Sequence, residues 1–221
     1  MSEQRAASPG REPVYAALYQ LAQTAIAVSF TADSTSNSPV LANVSSLANL
    51  RDGFPVMGPG VPVNSVIEQL NPPNGLVLSR SVNGTGGGTG LAMSSGFRTT
   101  GRRLKLWGEV SEFPAMFMRQ MEEDYPPRPH GLSRAYWDAE IWIYCNAGQD
   151  PTDIPTKGLN PLIDAIEQSL APKWPDRWQT LGGLVTHAWI EGRLMIDPGD
   201  LDKVAKAVIP VRMLLGIPED P

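Results

Sequence analysis

Apolar positions recur along this chain with two distinct periods. In EPVYAALYQLAQTAIAV, Val14, Leu18, Leu21 and Ala25 fall at helical spacing, with Pro13 placed for a first turn. The spacing predicts a helix over 13–27. LNPLIDAIEQSLAP repeats the signature: Leu159, Leu162, Ile163, Ile166 and Leu170 make one stripe. Asn160 is the expected cap there, Pro161 suits the first turn, and Pro172 follows the end. RAYWDAEIWIYCN switches to period two. One face carries Trp137, Ala139, Ile141, Ile143 and Cys145, the other Tyr136, Asp138, Glu140, Trp142 and Tyr144. The second face reads equally as aromatics beneath a loop or as a surface half covered by another subunit, because Tyr and Trp are enriched at interfaces.

Further strands follow from the same alternation. FRTTGRRLKLWGEV and PAMFMRQMEEDY read as two strands joined by a turn at Ser111–Pro114. GGLVTHAWIEGRLMID and VAKAVIPVRMLLG read as two more. In the last, Ala207, Ile209, Val211, Met213 and Leu215 share a face, and Pro210 on the opposite face predicts an edge strand or a bulge over 204–215. Between Phe30 and Gly96 the texture changes to dense Ser, Asn, Gly and Pro with no Lys. Short runs (SPVLANV, VNSVIEQL, GLVLSR) are separated by turn signals, including Asn74-Gly75. The expected organisation is a flexible N-terminus (1–12), a core domain (13–29 and 97–221) and an inserted β-rich domain (30–96). The expected fold class is α+β: a mostly antiparallel sheet flanked by two helices, plus a small all-β insert.

Candidate chemistry narrows rather than widens this picture. SVNGTGGGTG (81–90) lacks the G-x-G-x-x-G register and the G-K-[ST] ending, so it reads as a loop of the insert and not a phosphate cradle. A net charge of −5 argues against broad nucleic-acid binding. Cys145 is the single cysteine and lies in an apolar strand pattern, which predicts a buried, inert thiol. No apolar run approaches a membrane span and no basic-then-apolar start marks a signal peptide, so a cytoplasm-like compartment is expected. The two histidines, His130 and His187, form no triad by spacing, and His187 reads as a structural strand residue. DPGDLD (197–202) lacks the calcium-loop pattern and reads as a solvated turn; EED (122–124) reads as an exposed strand end. Arg98, Arg102, Arg103 and Lys105 are the one basic concentration; in an extended strand Arg98 and Arg102 share a face that could meet passing DNA. No catalytic, cofactor-binding or metal-ligating residue emerges, so no cofactor and no enzymatic activity are expected.

Taken together, FRTTGRRLKLWGEVSEFPAMFM, AEIWIYCNAGQDP, LNPLIDAIEQSLAP, TLGGLVTHAWIEG and VIPVRMLLG resemble the tail terminator proteins of tailed bacteriophages, across 13–28 and 97–216 and in family order. Members of that family run almost directly from the first helix into the FRTTGRRLKLW-type strand. Here about 65 residues intervene, and that stretch, with SSLANLRDGFPVMGPGVP, resembles small β modules of other phage structural proteins. The resemblance implies a hexameric ring on the head-proximal end of the tail tube, which stops tube growth and offers a docking surface to neck and head-completion proteins. Implied partners are other copies of the chain, the tube protein, the connector proteins, a sheath if the tail contracts, and genomic DNA in the channel, with no membrane. The implied location is the virion tail or neck, after assembly in the host cytoplasm. A ring needs two different complementary surfaces on each subunit. The candidates are Arg98, Arg102, Arg103, Tyr136, Asp138, Glu140, Trp142 and Tyr144, with the expected edge strand 204–215. A head–tail joining or tail-completion protein of similar fold is the near alternative. A surface- or carbohydrate-binding module acting through the insert is the distant one, disfavoured because Phe54 is the only aromatic residue in 31–96.

Overall fold

The computed structural model describes residues 10–84, 86–126, 133–147, 155–172, 177–199 and 203–217. The protein is α+β, with two α-helices and two sheets among the described residues. Helix α1 (Arg11–Thr24) begins two residues before the expected start and stops before Ala25, whose N–H bonds the Ala22 carbonyl in a closing turn. It buries Val14, Tyr15, Leu18 and Ala22. Helix α2 (Asn160–Leu170) buries Leu162, Ile163, Ala165, Ile166 and Leu170, as its stripe predicts. Asn160 does not cap it. The N-cap is Leu159 and no side chain bonds the first turn, because Pro161 leaves one amide fewer to satisfy there.

The first sheet is built from β1 (Val28–Ser34), β2 (Val40–Ala42), β3 (Ile67–Asn71), β4 (Gly75–Leu78) and β5 (Gly88–Ser95), in the spatial order β3-β4-β2-β1-β5. All its pairings are antiparallel. The β3–β4 hairpin closes where NPPNG predicts it, with Asn71 opposite Gly75. The glycine-rich run feeds β5, and its glycines permit close backbone approach. A Cβ on Gly86 would come within 2.4 Å of the Gly60 Cα, and the Gly86 carbonyl accepts a 2.6 Å bond from Ser34 Oγ.

The second sheet holds β6 (Thr99–Gly101), β7 (Ala115–Asp124), β8 (Ser133–Asn146), β9 (His187–Ile190), β10 (Met195–Asp197) and β11 (Val204–Ile217), in the order β10-β11-β8-β7-β6 with β9 also on β11. Two expectations are corrected here. FRTTGRRLKLWGEV is not one long strand hairpinned to the next: only Thr99–Gly101 is extended, and it pairs parallel to β7. A parallel neighbour requires a crossover. Residues 102–114 supply it, with a 3-10 turn at Trp107–Glu109. Nor is 204–215 an edge strand. β11 is interior, paired with β8 along its whole length and with β9 and β10 on its other side. Pro210 causes the misreading. Its carbonyl accepts the Glu191 N–H, so its missing N–H points to the same side, where the β9–β10 partner chain is interrupted.

One continuous cluster of buried side chains joins α1, α2, the inner face of the second sheet (Trp137, Ala139, Ile141, Ile143 of β8; Ala207, Ile209, Val211, Met213, Leu215 of β11) and the first sheet (Leu41, Ile67, Leu76). The five-stranded sheet therefore does not stand apart from the remainder of the chain. Gly53, at φ +87°, lies so close to α2 that a Cβ there would meet Pro161 Cγ at 2.7 Å.

Candidate functional site

The helices cover the inner face of the second sheet, which leaves its outer face as the surface to build upward. Register pairing sets the side chains in rows across β8, β11 and the margin strands. Tyr136, Leu214 and His187 form one row; Asp138, Arg212 and Trp189 the next. Glu140 lies opposite Pro210, Trp142 is followed by Val208 and Met195, and Tyr144 by Lys206 and Asp197. On β7, Phe117 faces Trp142, and Arg119 faces Glu140.

The far end of this face is closed by the crossover. Tyr144 is 2% exposed, donates its O–H to the Lys105 carbonyl at 2.9 Å, and packs with Phe117, Val110 and Val204. Burial pushes its phenol pKa up. Leu104, Phe113 and Trp142 border that small cluster. The two sequence readings of the β8 outer face thus divide by residue: Tyr144 is an aromatic under a loop, while Tyr136, Asp138, Glu140 and Trp142 remain half-exposed.

The middle of the face is a charged belt centred on Arg212. Its guanidinium is bidentate to Asp138, with Nε–Oδ1 at 2.8 Å and Nη2–Oδ2 at 2.9 Å, and Nη1 donates to Glu191. It also lies over the Tyr136 ring, 5.7 Å from the centroid. The hydrogen bonds to Asp138 and the field of both carboxylates raise the Arg212 pKa above its ordinary value. Glu140 accepts a 2.9 Å bond from Trp142 Nε1. Beyond the belt, His187 is stacked on Trp189 and meets Trp178 edge-on, and its Nδ1 accepts the Gln179 N–H at 3.1 Å. That is the structural histidine expected. Arg212 escaped sequence reading because its partner lies 74 residues away, and only strand register brings the two together.

The basic group is dispersed. Arg98 and Arg102 flank the three-residue strand β6, and both reach other elements of the chain. Arg98 Nη2 donates to the Val56 carbonyl at 3.2 Å, Arg102 Nη1 pairs with Glu12 of α1, and the Nε of each is buried. Both are drawn toward other elements of the chain by these acceptors and stay part-exposed. Arg103 and Lys105 are exposed on the crossover. A second cluster that the sequence did not signal ties α1 to β7. Arg11 is bidentate to Glu123 at 2.8 Å, and Tyr125, bonded to Glu123 at 2.7 Å, accepts Trp137 Nε1 at 3.2 Å. The bonds from Arg11 hold the Glu123 carboxyl below its usual range.

A cleft of about 620 Å³ lies between the first sheet and the start of α2, lined by Asp52, Val66, Glu68, Arg80, Phe113 and Lys157 among others. Cys145 contributes to its wall, but burial pushes the thiol up to about 12, leaving negligible thiolate at neutral pH. Asp197 makes the expected turn, accepting the Gly199 N–H at 3.0 Å. Among the described residues no group of three or more His, Cys, Asp or Glu is placed to hold a metal ion. His130 and Asp200 lie outside the described residues. No helix among them is long and apolar enough to cross a membrane. Scans against protein-family models and curated proteins find no match to this chain.

Proposed function

We propose that this chain is a virion structural protein that forms a ring on the head-proximal end of a phage tail tube, ends tube growth and presents a docking surface to the neck. The observation that carries the reading is the outer face of the second sheet. It is a broad strand surface with part-exposed Tyr136, Trp142 and Trp189 around a prearranged ionic belt, closed at the Tyr144 end by the crossover. Tyr, Trp and Arg in a partly desolvated patch are the composition of recognition surfaces. The belt is already paired within the subunit, so a partner would meet oriented dipoles instead of loose charges. The resemblance of the sequence phrases to tail terminators supplies the kind of assembly.

Electron microscopy of particles from an infected host that lacks the gene tests this. Filled heads beside separate tails of irregular or excessive length are expected. Separate tails of uniform length would move the role to head–tail joining, and complete virions would overturn the assembly reading.

A further inference from the structure

The chain contains Asn-Gly twice, at 74–75 and 83–84, and the fold treats the two copies differently. An asparagine ahead of a glycine is open to self-modification, because no side chain hinders the following amide nitrogen on its way to the asparagine Cγ. In a folded chain the reaction also requires that this amide be free to move.

Beside the other asparagines it is not free. The N–H groups of Ser38, Val44, Leu50, Ser65 and Ala147, each following an asparagine, donate to backbone carbonyls at 2.8–3.2 Å. Asn71 and Asn160 precede prolines, which have no N–H. Gly75 opens β4 and is paired across the hairpin with Asn71, while the Asn74 carbonyl accepts the Val44 N–H at 2.8 Å. Gly84 is the exception. Its N–H has no hydrogen-bond partner among the described residues, and Asn83 and Gly84 are both exposed.

The turn around Gly84 favours the reaction further. The Asn83 carbonyl accepts the Gly86 N–H at 2.8 Å, which polarises the Asn83–Gly84 peptide and makes its own N–H easier to deprotonate. The Asn83 N–H donates to the Gly60 carbonyl at 2.8 Å, and the Gly84 carbonyl accepts Ser36 Oγ at 2.8 Å. The turn is thus anchored on either side of the exposed nitrogen.

We infer that Asn83 is a site of spontaneous deamidation, with water as the co-reactant. The deprotonated Gly84 nitrogen attacks Asn83 Cγ and forms a new C–N bond. The Cγ–Nδ2 bond breaks, and the side-chain amide leaves as ammonia. Water then opens the succinimide at either carbonyl, giving aspartate or isoaspartate. The net change is one water consumed and one ammonia released, with no oxidation. Isoaspartate also adds a methylene to the main chain. Gly86 already packs so closely on Gly60 that a Cβ would lie 2.4 Å from the Gly60 Cα, so a lengthened turn must leave its anchors at Gly60 and Ser36.

Peptide mapping by mass spectrometry tests this on the full-length chain kept warm at mildly alkaline pH. The readout is the mass gain of amide-to-acid exchange at each asparagine, with isoaspartate detected by an isoaspartyl methyltransferase. In the native chain Asn83 should convert about tenfold faster than Asn74, whose reaction waits on local opening of the hairpin. In strong urea, where neither site is held, the two rates should converge. Equal native rates, or Asn74 ahead of Asn83, would overturn the inference, as would an Asn83 that converts in urea alone. Gly84→Ala is the independent check. A Cβ there meets only the Asn37 side-chain amide, at 3.8 Å and 4.0 Å, so the fold is kept. Conversion at Asn83 should then slow roughly tenfold, because the methyl hinders the nitrogen's approach. An unchanged rate would mean that the Gly84 nitrogen is not the nucleophile.

Discussion

Arg212 organises the outer face, and the strength of its link to Asp138 can be measured. The pair is bidentate and partly screened by neighbours, with side chains 35% and 28% exposed, so it lies between a free surface pair and a buried one. A double-mutant cycle on Arg212→Ala and Asp138→Ala should give a coupling energy of about 1–2 kcal/mol in denaturant unfolding, above the median for exposed pairs. A coupling near zero would mean that the belt is a loose surface feature and not a prearranged one. The same residue shows where sequence reading ends. Asp138 stood out on the chemically mixed face of its strand; Arg212 did not, because alternation assigns a face and says nothing of what lies across the ladder. Arg98 and Arg102 show a related limit. Spacing places them on one strand face but says nothing of the acceptors that claim them, the Val56 carbonyl and Glu12, which come from other elements.

At the scale of elements, strongly periodic segments were legible and irregular ones were not. The α2 stripe and the inner face of β8 are buried residue for residue as their patterns require. RRLKLW alternates like a strand, yet Leu104 borders a buried cluster while Leu106 is exposed, because the chain is crossing over a sheet face and not pairing along it. Pro210 was read as an edge marker when it marks a break in the neighbouring chain. That reading has a consequence. The N–H missing from Pro210 faces the β9–β10 interruption, so Pro210→Val should change stability by less than about 1 kcal/mol. Val211→Pro, whose N–H faces β8 and whose side chain is buried, should cost about 2 kcal/mol or more through a lost ladder bond and an orphaned carbonyl. Chemical denaturation of the two variants measures the contrast, and equal losses would contradict this account of the break.

For the whole molecule, the shared core means that the five-stranded sheet, the helices and the inner face of the second sheet are held as one body, which fixes the outer face and its margins relative to the rest. Composition framed a globular chain from the start, and the α+β class followed from the order of periodic segments. The joining of the insert to the core did not, since contacts such as Gly53 against Pro161 and Arg51 against Gln168 link positions more than a hundred residues apart. A body whose second sheet keeps the middle of its outer face part-exposed suits the proposed ring subunit, in which each copy must present the same two surfaces at a fixed angle. The most direct measurement is electron microscopy of tail tubes incubated with the purified chain. The account predicts ring-shaped density at one end of each tube and no further growth when tube subunits are added. Bare ends that continue to elongate would contradict it.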